Sequence, residues 1–123
     1  MHAGDRLSVT CGTTRWVGTA VAVSDDHVEL VLDASRVVVN LDGPITVGRS
    51  AATSGGTTGD RGHRSLRARL STIELTGDPV EVVTQSGTIP GRLTVVAADH
   101  VVVDREDGET WVPLRELGAV VLG

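Results

Sequence analysis

Apolar and polar residues alternate in short runs along most of the chain, and Gly, Asp, Ser and Pro separate the runs. The first five runs are "RLSVTC", "RWVGTAVAVS", "HVELVLD", "RVVVNL" and "ITVG", separated by "GTT", "DD", "AS" and "DGP". Five more follow as "PVEVVT", "TIPGRLTVVA", "HVVVDRE", "ETWVPL" and "AVVLG", separated by "QSG", "AD", "DG" and "RELG". A period of two bounded by turn residues predicts ten short strands. One stretch breaks the period. In "RSLRARLSTIEL" Leu66, Leu70 and Ile73 recur at helical spacing with Arg64, Arg67 and Arg69 off that face, which predicts a short amphipathic helix over 64–75.

The two sets of five are copies of one another. A gapless shift of 73 residues superposes Gly4-Asp5 on Gly77-Asp78, Val9 on Val82, Gly18 on Gly91 and Val23 on Val96. It also superposes Asp26-His27-Val28 on Asp99-His100-Val101, Val39 on Val112 and Leu41 on Leu114. Gly18 and Gly91 fall inside long second strands, where a glycine permits the bend that curls a small sheet. The expected architecture is mainly β: a five-stranded barrel over 4–48, a linker over 49–63, the helix over 64–75 and a second barrel over 77–123. The linker "GRSAATSGGTTGDRGHR" should be mobile, since residues 50–62 offer no apolar side chain larger than Ala. Its "SGGTTGD" lacks the Lys-Ser/Thr and the preceding strand of a phosphate-binding loop.

Composition narrows the function classes. No long apolar run and no leader pattern in "MHAGDRLSVT" predict a cytoplasmic protein with no membrane segment. Cys11 is the only cysteine, which excludes an internal disulfide framework and a Cys-based zinc site. The net charge is −5 and all eleven basic residues are Arg, so the overall field disfavours nucleic acid. The aromatic residues are Trp16 and Trp111, read as core or interface positions.

"GTAVAVSDDHVELVL" resembles the first Sm motif of the Sm and Sm-like (LSm) family, and "VVVNLDGPITV" resembles the second in its apolar pattern and Gly43. The likeness covers both copies and implies two tandem Sm-like five-stranded barrels. "RGHRSLRARL" followed by "DPVEVV" is also similar to bacterial tandem-barrel proteins of high-GC Gram-positives, a likeness that carries fold and no function. In the Sm family a His or aromatic stacks on uracil, an Asn reads its edge and an Arg completes the pocket. His27 and His100 match the stacking position, Glu29 and Val102 stand in place of the Asn, and Asp42 and Glu116 lie near the place of the Arg. An acidic group facing a phosphate-rich ligand opposes binding.

Apart from that resemblance, each His reads as a polar, partly exposed residue in the turn that opens a third strand. Asp26 and His27 are strand neighbours expected to point to opposite faces, which speaks against a catalytic dyad. The Arg cluster reads as a solvated helix face with Glu74 among its partners. No nucleophile, metal or cofactor constellation is recognisable. The expected function is a non-enzymatic binding or assembly module with no cofactor and no metal. It forms a homo-oligomer, a dimer or trimer, through strand edges that include Val120 and Val121. A protein partner is also compatible with this reading. The rival is an RNA- or DNA-binding protein contacting its ligand through His27, His100, Arg64, Arg67, Arg69 and Arg92.

Overall fold

The computed structural model describes residues 1–51 and 65–123. The expected linker from 52 onward and Arg64 lie outside them. The described residues are mainly β with one α-helix. In chain order the elements are β1 (Arg6–Cys11), β2 (Thr14–Val23), β3 (His27–Val31), β4 (Arg36–Asn40), β5 (Thr46–Ala51), α1 (Leu66–Thr76), β6 (Val80–Thr84), β7 (Gly87–Val96), β8 (His100–Arg105), β9 (Gly108–Pro113), a short 3-10 turn (Leu114–Glu116) and β10 (Leu117–Leu122). Strand β5 runs on to Ala51, so the sheet extends past the boundary expected at 48.

The ten strands form one antiparallel sheet in the order β5-β1-β2-β3-β4-β10-β6-β7-β8-β9, and it does not close. Each half has its fifth strand beside its first, and the halves join where β4 pairs with β10. The 73-residue repeat is visible in the register itself. Val9 pairs with Trp16 as Val82 pairs with Ile89, and His27 pairs with Asn40 as His100 pairs with Pro113. Each long second strand is bulged at the same place, between Ala20 and Ala22 and between Leu93 and Val95. Gly18 and Gly91 are dictated by a close crossing. A Cβ there would lie 2.7 Å from the Val31 carbonyl oxygen and 2.4 Å from that of Asp104, which is its repeat partner.

Two apolar clusters interlock across the seam. One comprises Leu7, Val9, Trp16, Val28, Leu30, Val37 and Val39 with Val83 and Ala119 from the second half. The other comprises Val82, Leu93, Val101, Val103, Val112 and Val120 with Val38 from the first half and Leu66, Leu70 and Ile73 of α1. Burying each Val of the seam contributes about 1.5 kcal/mol or more, so the halves stabilise one another. Ser65 starts α1 by accepting from the Ala68 N–H at 3.1 Å, and Gly77 ends it with φ 68°, a left-handed conformation that suits glycine. No described helix is long and apolar enough to cross a membrane.

The seam corrects one expectation. β10 is paired on both sides, with Val120 opposite Val38 and Val82, and Val121 opposite Val37 and Glu81. Its hydrogen-bonding edges are used inside the chain, so Val120 and Val121 are not an open oligomer edge. Among the described strands, those with an unpaired side are β5 and β9.

Candidate functional site

The turn into β3 gathers three polar side chains. His27 Nδ1 lies 2.8 Å from Asp26 Oδ1 and 2.6 Å from Ser24 Oγ, and the ring is buried. The expectation of opposite faces fails because Asp26 belongs to the turn, where strand alternation does not apply. The expectation of partial exposure fails at His27 as well, which is 1% exposed. Catalytic relay needs the carboxylate and the hydroxyl on opposite ring nitrogens. Here both use Nδ1, so the arrangement orders the turn and does not build a relay. The Asp26 carboxylate also accepts from the Leu66 N–H at 2.9 and 3.1 Å and thereby anchors the N-terminus of α1.

Three residues on, buried Glu29 receives Arg69 Nε at 2.6 Å and Arg36 Nη1 at 2.8 Å. Desolvation alone would raise its pKa, but hydrogen bonds from Arg69 and Arg36, and then their charges, carry it below the usual carboxylate value. Asp26 is lowered in the same way: desolvation raises it, and His27, the Leu66 N–H and Ser24 together outweigh that. Arg69 is therefore an intramolecular clamp between α1 and β3, not part of a solvated anion-binding face. Glu74, expected as a partner for the Arg cluster, accepts instead from the Val96 backbone N–H at 3.0 Å.

A carboxyl whose folded pKa is depressed contributes stability above its unfolded value, near about pH 4.3 for Glu, and loses it as pH falls through the folded value. Stability should therefore be level above about pH 5 and fall steadily below about pH 4. Arg69→Met should cost roughly 2 kcal/mol at neutral pH, because a buried carboxylate keeps only Arg36. Urea melts at several pH values check both expectations.

The second copy of the turn is built differently. His100 Nδ1 meets Asp99 Oδ1 at 2.7 Å, and the imidazole stacks on Trp111 with centroids 5.0 Å apart and planes 10° apart. His100 is partly exposed and Trp111 is 66% exposed. Trp16 is core, as expected, whereas Trp111 is a surface platform. The His100 hydrogen bond draws the Asp99 pKa down, followed by the charge of His100.

The expected contact residues do not assemble into one surface. Arg69 is tied to Glu29, and Arg92 donates from Nη1 to the Gly77 carbonyl at the end of α1. Arg67 lines a cleft with Asp26, Asn40, Asp42, Leu114 and Arg115. Arg115 was not anticipated, although its place in the turn before β10 matches Asp42 one repeat earlier. Two exposed apolar residues stand on the strands at the two ends of the sheet, Val47 on β5 at 38% and Trp111, read from the sequence as core or interface, on β9. Among the described residues no group of three or more His, Cys, Asp or Glu could hold a metal ion. No model of a known protein family matches the chain, and no curated protein matches it either.

Proposed function

We propose that the chain is a non-enzymatic Sm-like assembly module that self-associates head to tail through β9 of one copy and β5 of the next. Each half acts as one Sm-like barrel unit. The observation that carries this reading is the seam inside the chain. There β4, the fourth strand of one half, pairs with β10, the fifth strand of the other, and Val38 faces Val120 with both fully buried. The repeat makes β9 the counterpart of β4 and β5 the counterpart of β10. In the same register Trp111 would face Val47, and these are the exposed apolar residues on the two free edges. Neither edge strand carries a Lys, and each presents one exposed apolar side chain on the edge, Val47 and Trp111. A head-to-tail contact stays finite only if it closes, which favours a ring of two or three copies.

Charged substitutions test the register. Val47→Lys alone and Trp111→Glu alone should each leave a monomer in sedimentation velocity, whereas the double variant should re-form the assembly through a Lys-Glu pair. Double variants that stay monomeric while unaltered chains assemble would refute this pairing.

One observation favours the rival reading of an RNA- or DNA-binding protein: the exposed His100–Trp111 stack offers a flat surface to a base. Against it stand the net charge of −5 and the internal use of Arg69. A gel shift with short U-rich and A-rich RNA at physiological salt should show weak binding.

A further inference from the structure

The register that seats β5 of one copy beside β9 of the next also fixes which polar side chains meet there. At the seam Val121 lies opposite Val37 and Leu122 opposite Arg36. A shift of 73 residues on both strands carries these pairs to Gly48 with Thr110 and Arg49 with Glu109. Arg49 and Glu109 are both exposed, and neither has an ion-pair partner among the described residues. Within the chain Glu109 lies directly opposite Asp104, a like-charge pair that is unfavourable in a sheet. On the far side of Asp104 stands Arg92, whose Nη1 donates to the Gly77 carbonyl, and on the far side of Glu109 is the open edge of β9. We infer that Arg49 of a second copy completes this row, and that an Arg49–Glu109 ion pair across the junction selects β5 as the partner of β9.

The inference rests on the β9–β5 pairing proposed above and adds what makes that pairing selective. Residues directly opposite one another in a ladder share a face, so Arg92, Asp104, Glu109 and the second copy's Arg49 form one row of charges, plus, minus, minus, plus. Each carboxylate then has a cation beside it. The other edge pairings leave the charges unmatched. A second β9, GETWVP, brings no basic residue to Glu109, and a second β5, TVGRSA, brings no acidic residue to Arg49. The charged row is also particular to the junction between copies, because at the seam the same four positions are Thr19, Val31, Arg36 and Leu122, and Arg36 is tied instead to Glu29. There the halves belong to one chain, and covalent connection supplies the partner of β4. An exposed ion pair adds little strength, so its effect falls on the choice of partner.

Charge reversal in the full chain, followed by sedimentation velocity at low salt, tests the pair. Arg49→Glu alone and Glu109→Arg alone place like charges at every junction, and a closed ring holds at least two junctions, so each dissociation constant should rise at least about tenfold. The double variant should return to within about threefold of the unaltered chain, and the losses in the single variants should shrink at about 1 M salt. Both positions are exposed, and circular dichroism confirms that the variants fold. Single variants that assemble like the unaltered chain, or a double variant as weak as either single one, would overturn the inference. In that case loss of assembly in Trp111→Glu, run in the same series, shows that the β9–β5 pairing itself survives. An unaltered chain that stays monomeric would overturn both.

Discussion

Gly91→Val is expected to destabilise the chain by about 3 kcal/mol, at the upper end of what overpacking costs. Any side chain at Gly91 places its Cβ 2.4 Å from the Asp104 carbonyl oxygen and 2.7 Å from Val103 Cγ1. The oxygen belongs to the backbone of β8, which pairs with β7 beside a bulge and cannot retreat without losing that pairing. Gly18→Val should cost somewhat less. Its nearest contact is 2.7 Å from the Val31 oxygen, and the next is the flexible Leu32 side chain at 3.0 Å. Gly48→Ala, with nothing within 4 Å of its Cβ, should lie within about 1 kcal/mol of the parent. Urea denaturation of the three variants gives the order directly. Equal losses at Gly91 and Gly48 would mean that β7 does not approach β8 at Gly91 as closely as described.

Asn40→Leu is expected to cost a similar amount, about 3 kcal/mol, because it strands acceptors inside the seam. Asn40 is buried at the end of β4. Its Nδ2 donates to the Leu117 carbonyl at 2.8 Å and the Leu114 carbonyl at 3.0 Å, while its Oδ1 accepts from the Asp42 N–H at 3.1 Å. Leu keeps the volume and removes both donors. Asn40→Asp keeps the shape and turns a carboxylate toward two carbonyl oxygens, so it should lose at least as much at neutral pH. Recovery of parental stability by either variant, measured by chemical denaturation, would show that packing and not hydrogen bonding holds this end of the seam. The counterpart in the second half is Pro113, which has no side-chain amide, so this link exists only at the junction between halves.

The repeat was legible because it is written in residues whose roles are local. Gly18 and Gly91 recur because each faces a carbonyl, and the Val alternation recurs because each strand buries one face. Helical spacing of Leu66, Leu70 and Ile73 marked α1, and all three are buried. What the pattern could not reveal depends on contacts between distant segments. Glu29 and Arg69 are 40 residues apart, and each alone reads as an ordinary surface charge. The face toward which Asp26 turns is set by the turn, outside the two-residue period. Val120 and Val121 looked like a free edge because they end the chain's last apolar run. β10 is instead the strand on which the two halves meet. Trp111 was legible as core or interface, and its 66% exposure on β9, at the end of the sheet, shows that it is not core.

The most direct test of head-to-tail assembly is the mass of the unaltered chain by multi-angle light scattering across the micromolar range. The protomer mass is 12.8 kDa. The account predicts a discrete species of two or three protomers that persists on dilution through the low micromolar range. A stable monomer at high micromolar concentration would contradict it, and would mean that the outer edges of β5 and β9 do not pair between copies in solution.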